Sequence, residues 1–398
     1  MNKYTITLAN TCLGCKKPSC QTGCPVNTPI AEMIRLFLAG DIKKAGKMLF
    51  ENNPLSVICS LVCPHEKHCE GHCVLTKKGT PVSVGSIENY ISDFYMNDLK
   101  FQKPEKNGHK IAIIGTGPAG IALAFILGQK GYEITMYEAH DKIGGVLRYG
   151  IPDFRLDKKI LDALESKLIQ LGVVIRRNIM IGRNIMISDM FRDDFKVVFV
   201  GTGVWKPKKL GIKGESLGNV HFAIDYLRSP NEYNLGKSVI VLGAGNVAMD
   251  VARTAVRNHA REVIVMYRKG MEDISASKHE VECAKIDGVK FELYKQPIEI
   301  TENGVKYLDL DNNNEEGFLE ANSVLVAISQ DPRGYITQTT QEIQVDGKGL
   351  LITDESGRTT MKGVFASGDV VTGARTVVEA VAFSKRVAVA VEEYIEAL

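Results

Sequence analysis

Apolar and polar positions divide this chain into three patterns. In the first hundred residues, short amphipathic runs lie between cysteine-rich stretches. In "NTPIAEMIRLFLAG", Ile30, Met33, Ile34 and Phe37 recur at helical spacing; Asn27 or Thr28 is placed to cap, Pro29 suits the first turn and Gly40 the stop. Asp41 is placed to cap a second helix, "IKKAGKMLFEN", and Pro54 marks the next start. The polar stretch "KFQKPEKNGHK" reads as a linker over residues near 100–109. Beyond it, "KIAIIGTGPAGIALAFILGQKGYEITMYEA" predicts a buried strand, a glycine turn, a helix of small and apolar residues and a second strand. The same succession returns in "KSVIVLGAGNVAMDVARTAVRNHAREVIVMYRK". This second sheet is expected to begin near Leu235 and to continue through "GVKFELYKQPIEI" and "NSVLVAISQ" to about Gln330. The segment "MKGVFASGDVVTGARTVVEAVAFSKRVAVAVEEYI" reads as strand, turn and long terminal helix.

The two glycine turns carry chemistry. Gly115, Gly117 and Gly120 follow an apolar strand directly and open a helix. In that context the first glycine makes a tight turn, the second lets backbone approach a pyrophosphate, and the third permits close helix–strand packing. Eighteen residues after Gly120, Glu138 ends the next strand, where a carboxylate accepts hydrogen bonds from an adenosine ribose. Gly243, Gly245 and Ala248 take the same positions in the second unit, but there the following strand ends in Tyr267, Arg268 and Lys269. Two cations suit a 2′-phosphate, Arg through its fork of donors, so NADPH is expected over NADH; the alternative is that both are solvated surface. Two dinucleotide sites imply two dinucleotides brought together. A hydride donor with a flavin that releases electrons singly makes chemical sense, and the acidic ribose residue selects FAD over FMN for the first site.

Composition alters this picture at one place, the cysteines. Eight of nine lie between Cys12 and Cys73, in the runs Cys12, Cys15, Cys20, Cys24 and Cys59, Cys63, Cys69, Cys73, and each run contains a Cys–Pro step. No export signal precedes them and no window of eighteen apolar residues exists, so a cytoplasmic location is expected, where disulfide scaffolding is a poor explanation. Thiols this dense suit cubane iron–sulfur centres, with structural zinc as the competitor; zinc carries no electrons, so two [4Fe-4S] clusters are expected beside a flavin. Cys283 stands alone and is expected to pack as a small hydrophobe. His65, His68 and His72 interleave with the second run but are expected to make surface or supporting contacts, not to ligate. A net charge of +2 argues against a nucleic-acid binder, although through Lys110 fourteen Lys or Arg face nine Asp or Glu.

With these residues in view, the chain resembles the small (beta) subunit of NADPH-dependent glutamate synthase and the N-terminal electron-input half of dihydropyrimidine dehydrogenase. The resemblance rests on the cysteine runs, both glycine fingerprints, "GGVLRYGIPDFRL" from Gly144, "GTGVWKPKKLGIKGE" from Gly201 and "GVFASGDVVTGARTVVEA" from Gly363, and spans nearly the whole chain. It implies an α/β architecture: a helical N-terminal iron–sulfur domain (1–108), then two Rossmann-like domains of the flavin disulfide-reductase type. The FAD domain is discontinuous (109–234 and 363–398) around a nucleotide domain (235–362). The resemblance further implies that Asp369 lies at the ribityl–pyrophosphate part of FAD and Thr376 near the flavin ring. Gly144 and Gly145 permit close cofactor approach, and the loop from Arg148 to Arg155 borders the ring.

The resemblance also implies ligand sets. One cluster takes Cys12, Cys15, Cys20 and Cys73; the other takes Cys24, Cys63, Cys69 and a fourth ligand from "GSIEN", where Glu88 stands, with Cys59 as its rival. Hydride transfer between stacked rings needs position and no acid or base, so no catalytic side chain is expected. Nothing here supplies a glutaminase, a glutamate-forming site or an FMN barrel. The expected function is therefore that of an electron-input subunit, passing electrons from NADPH through FAD and the clusters to a larger FMN-containing or ferredoxin-linked partner, with no nucleic acid and no membrane. The partner reading divides between glutamate synthase, dihydropyrimidine dehydrogenase and a ferredoxin-linked transhydrogenase. A stand-alone flavoprotein and a non-enzymatic assembly subunit are the alternatives of other classes. A thioredoxin-reductase-like enzyme needs a dithiol within its nucleotide domains, and no C-x-x-C occurs after Gly108.

Overall fold

The computed structural model describes residues 2–398, which divide into two compact units. The first comprises residues up to 147, 153–204 and 332–398. Its centre is a five-stranded parallel sheet ordered Val364–Ala366, Phe195–Val200, Lys110–Ile114, Glu133–Tyr137, Val174–Arg176. Ile111, Ala112 and Ile113 are fully buried, as are Val197, Val198 and Phe199, because helices cover both faces; this is why these strands read as unbroken apolar runs. The helix Pro118–Gly128 has no polar face for the same reason: it lies between the sheet and the terminal helix Val377–Glu396. The segment from Gly363 returns to this sheet, its Phe365 opposite Phe199, so the first dinucleotide fold is built from two stretches of chain.

The helical N-terminal region belongs to the same unit. Ile30, Met33, Ile34 and Phe37 bury their stripe against Ala45, Leu49, Ile87 and Ile91. Asp41 caps as expected, its Oδ1 accepting from Lys44 N at 3.2 Å. The first cap is different: Pro29 occupies the cap position of Ile30–Leu38 without a side-chain bond, and Thr28 is buried with its hydroxyl turned to Cys24. Residues 100–109 lack regular structure, yet they are pinned and do not form a loose linker. Phe101 packs against Phe50 and Phe125, with ring centroids 5.8 and 6.1 Å away, and Asn107 N donates to Gly131 O.

The second unit comprises 148–152 and 205–331. Its five-stranded parallel sheet is ordered Val220–Phe222, Ser323–Val326, Ser238–Leu242, Glu262–Met266, Lys290–Glu292; the last four repeat the plan of the first sheet, while the edge strand here comes earliest in the chain, not last. Its limits differ from the expected 235–362 at both ends. The half-buried edge strand Val220–Phe222, too short to show an apolar run, draws the start back to Trp205. At the other end, Ile336, Ile343 and Leu351 are buried in the core of the first unit. The segment "GVKFELYKQPIEI" continues the parallel sheet only through Glu292. Lys295–Thr301 instead starts an antiparallel meander with Gly304–Asp309 and Glu315–Glu320. Cys283 is not a core residue: it is partly exposed on the helix Lys278–Ile286, with Sγ 3.6 Å from His279 Nε2 one turn earlier. No helix among the described residues is long and apolar enough to cross a membrane.

Candidate functional site

In the first unit the glycine turn divides its labour in a way that can be read atom by atom. Gly115 has φ +97°, and an added Cβ would stand 2.5 Å from the Gly201 carbonyl oxygen. A Cβ on Gly120 would collide with the Gly115 carbonyl. Gly117, at the cap of Pro118–Gly128, has an ordinary φ of −75° and no atom within 4 Å of its Cβ position. The outer glycines therefore serve the fold, and the middle one faces open space at a helix N-terminus. Gly144 and Gly145 lie against this turn: Gly144 N donates to Thr116 O at 2.9 Å, and a Cβ on Gly145 would stand 2.9 Å from Gly117 Cα.

Glu138 is buried, and its carboxylate is engaged locally. Oε2 accepts from Thr116 N at 3.2 Å and from the Thr116 hydroxyl, and Oε1 accepts from His140 N at 2.9 Å. It thus braces the turn it was expected to serve. Each oxygen keeps lone-pair capacity for a further donor. Thr116, fully buried between the first two glycines, was not singled out in the sequence; its hydroxyl partner could be found only once Glu138 was in place.

Asp369 enters the same region from the end of the chain. Gly368 has φ +75° and an added Cβ would lie 3.1 Å from Ala119 Cβ, which brings Asp369 beside the start of Pro118–Gly128. Burial pushes the Asp369 carboxyl up to about 6, against a hydrogen bond from Arg375 N at 3.2 Å. Thr376 caps the 20-residue terminal helix reciprocally with Glu379, whose carboxylate accepts from Thr376 N at 3.0 Å and Oγ1 at 2.6 Å. Arg148 belongs to the short stretch 148–152 that groups with the second unit, whereas Gly144, Gly145 and Arg155 lie in the first.

The second unit repeats the geometry. Gly243 has φ +124° and its Cβ position lies 2.5 Å from Ala327 O; beside Gly245 only Ser275 Oγ approaches, at 3.5 Å; Ala248 is fully buried. Arg268 and Lys269 follow the strand Glu262–Met266 and are exposed. Lys269 pairs with Asp273 at 3.7 Å, and Arg268 has no ion pair among the described residues.

The thiols fall into two groups. Cys12, Cys15, Cys20 and Cys73 line one cavity, together with apolar residues such as Leu13, Ile34 and Val74. Burial pushes the Cys20 thiol up to about 11, with Cys73 and Cys12 adding to the effect. Around Glu88, the Cys63 thiol is raised by a bond to Cys59, by burial and by its neighbours Glu88 and Cys69, and the Cys69 thiol by burial, Glu88, Glu70 and Cys24. Glu88 itself is 7% exposed and accepts no hydrogen bond among the described residues; burial alone pushes its carboxyl up to about 8. No three Cys, His, Asp or Glu side chains among the described residues form a group that could hold a single metal ion. His72 is tied to the backbone, Nδ1 lying 2.6 Å from His68 O.

Comparison with known proteins gives two family matches. The family described as pyridine nucleotide-disulphide oxidoreductase matches residues 109–383, and the one described as dihydropyrimidine dehydrogenase domain II, 4Fe-4S cluster, matches residues 1–99. The glutamate synthase [NADPH] small chain of Escherichia coli is 30% identical over 98% of this chain and 91% of its own, and that of Azospirillum brasilense 32% identical over 98% and 89%. The NAD-dependent dihydropyrimidine dehydrogenase subunit PreT of Salmonella typhimurium is 30% identical over 98% and 94%. Among solved structures, T. acidophilum thioredoxin reductase aligns with TM-score 0.58 and 20% identity over 72% of this chain and 98% of its own. Mycobacterium tuberculosis FprA aligns with 0.60 and 17% over 73% and 85%. At such identities the two structures speak for the fold alone.

Proposed function

Since this chain belongs to the pyridine nucleotide-disulphide oxidoreductases and, along nearly all its length, to the family of the NADPH glutamate synthase small chain, we propose that it is the electron-input subunit of a larger enzyme. In this reading it oxidises NADPH and delivers the electrons, by way of FAD and two [4Fe-4S] clusters, to a partner. The observation that carries the reading is the composition of the first unit. One compact body contains both a dinucleotide turn with an open middle glycine and two groups of clustered thiols.

The residues present fit both kinds of group. FAD, when bound, takes up electrons in pairs and releases them singly. The open Cα of Gly117 and the amides at the start of Pro118–Gly128 suit its pyrophosphate, and Glu138 retains acceptors for its ribose. Asp369 and the capped start of the terminal helix supply the flavin end, with Gly144 and Gly145 bordering it. The donor chemistry of the thiol groups suits iron–sulfur centres. Four thiols, Cys12, Cys15, Cys20 and Cys73, line one cavity, and an all-thiolate donor set beside a flavin supports iron–sulfur centres over electron-inert zinc. The ligands are then Cys12, Cys15, Cys20 and Cys73 for one cluster, and Cys24, Cys63, Cys69 and Glu88 for the other, with Cys59 the rival to Glu88.

Relatives named for NADPH and for NAD both occur, so the nucleotide preference rests on Gly243, Gly245, Ala248 and the cations after the strand. With Arg268 and Lys269 at the 2′-phosphate, Arg268→Ala is expected to lower the NADPH-to-NADH ratio of kcat/KM by roughly 10- to 100-fold, the loss of one charge-assisted fork. An unchanged ratio would assign the phosphate to other residues. That relatives are small chains supports a larger partner; in this reading the partner is FMN-containing or ferredoxin-linked and the complex works in the reducing cytoplasm. Co-purification separates the glutamate-synthase reading from the dihydropyrimidine-dehydrogenase one.

The decisive experiment is anaerobic purification followed by analysis and reduction. One FAD with about eight iron and eight sulfide per chain is expected, all bleached by NADPH. A colourless protein with stoichiometric zinc, or a bound flavin that NADPH leaves oxidised, would overturn the proposal.

A further inference from the structure

A hydrogen-bonded chain joins the thiols to the terminal helix, and neither the cofactor turns nor the ligand sets account for it. Thr28 Oγ1, buried, lies 3.3 Å from Cys24 Sγ. The same oxygen accepts from Asn52 Nδ2 at 3.4 Å, and Asn52 Oδ1 accepts from Lys385 Nζ at 2.8 Å. Lys385 is half-buried and projects from the helix Val377–Glu396, whose neighbouring Ser384 donates to Ala119 O at 3.1 Å at the start of the helix after the glycine turn. The helix that begins at Thr376 therefore reaches both the dinucleotide turn and the thiols.

No carboxylate pairs with Lys385 among the described residues. Burial disfavours its charge, and Cys24 is the neighbouring group that opposes this. A half-buried ammonium without a counter-ion is costly unless negative charge stands on the side it faces. That side is Cys24. A thiolate-ligated cluster is negative there, and gains one further negative charge on reduction.

We propose that Lys385 is the electrostatic partner of the iron–sulfur cluster ligated by Cys24: with Asn52 and Thr28 it stabilises the reduced form of that cluster and so raises its potential above that of an otherwise identical site. The inference rests on the reading that Cys24 ligates a cluster. The step concerned is uptake of one electron with no proton moved. A fixed cation favours the more negative state, and donors aimed at a ligating sulfur act in the same direction. Lys385 is thus a positioning and tuning residue, not a catalytic one, and it favours electron entry at the cluster next to the terminal helix.

The test is potentiometry followed by electron paramagnetic resonance on the full-length, cluster-loaded protein. Lys385→Met keeps most of the stem and removes the charge. It is expected to shift the reduction equilibrium of one cluster roughly tenfold towards the oxidised form, about 59 mV downward for a one-electron couple, leaving the other cluster in place. Lys385→Arg restores the value, and Thr28→Val shifts the same cluster in the same direction by less. Unchanged potentials in a Lys385→Met protein with full iron and sulfide overturn the proposal, as do equal shifts of both clusters. Lys385→Gln serves if the Met variant does not accumulate. Failure of both to assemble assigns the residue to folding and likewise overturns it. If the unaltered chain itself lacks iron and sulfide, the cluster reading fails first, a result recognisable before any variant is made.

Discussion

Glu88→Ala is expected to remove about half the iron and sulfide from the purified protein while leaving its FAD in place, since in the proposed reading one of two clusters loses its fourth ligand. The expectation rests on the surroundings of the Glu88 carboxyl. A carboxyl group 7% exposed, with no hydrogen-bond donor among the described residues, stands among thiols whose own acidity it weakens. Such a group is costly when ionised unless a cation or metal shares its pocket. In the metal-free chain the cost has a definite pH sign. The folded carboxyl, at about 8, lies above its unfolded value of about 4.3, so the protonated form stabilises the fold below the unfolded value. That contribution is lost progressively as pH rises from about 4.3 to about 8. Denaturant melts of metal-free protein should therefore weaken between pH 5 and 8, and the Glu88→Ala variant should show less of this slope. Iron content and electron paramagnetic resonance decide the ligand question. A variant with full iron and an unaltered spectrum would exclude the carboxylate and turn attention to Cys59, whose bond to Cys63 already places it in the same group.

A comparison of two glycines in one turn carries the second large effect. Gly117→Leu is expected to fold with near-native stability and to lose FAD, with affinity falling by more than about tenfold, because its side chain enters the space that the fold leaves open. Gly120→Val is expected to fail differently. Its side chain runs into the Gly115 carbonyl, and the cost, about 3–5 kcal/mol, appears as loss of the folded protein itself. Flavin absorbance against thermal melting in the two variants separates these outcomes. Normal flavin content in Gly117→Leu would mean that the dinucleotide lies elsewhere. Gly245→Leu is the parallel variant in the second unit, expected to abolish reduction by NADPH while bound flavin and its chemical reduction persist.

The sequence alone was enough for whatever depends on neighbours along the chain. Unbroken apolar runs around Ile111 and Val239 announce strands buried on both faces, and the glycine spacings announce the turns between strand and helix. Asp41 was legible as a cap because its partner, Lys44 N, is three residues away. Local signals misled where a distant group competed for the same atom: Thr28, well placed to cap a helix, spends its hydroxyl on Cys24 and Asn52 instead. The limits of the second unit were misplaced for a related reason. A three-residue edge strand such as Val220–Phe222 gains its identity from pairing with Ser323–Val326, about a hundred residues on, and its own composition says nothing of it.

For the site the division is similar. Which residue types carry the chemistry was written in the chain as glycine turns, terminal carboxylates and dense thiols. Their grouping into ligand sets is what the resemblance implies; the structure adds that Cys73 lines a cavity with Cys12, Cys15 and Cys20, and that Glu88 neighbours Cys63 and Cys69. The bracing of the first turn by Glu138 through Thr116, and the reach of Lys385 to Asn52 across 333 residues, were decided by tertiary structure alone. Short-range pattern determines strands, helices and turns because their hydrogen bonds and side-chain spacings are local. Which charges and thiols finally face one another is settled by the packing of the terminal helix against both the dinucleotide turn and the cysteine-bearing helices, and no single stretch of sequence encodes that.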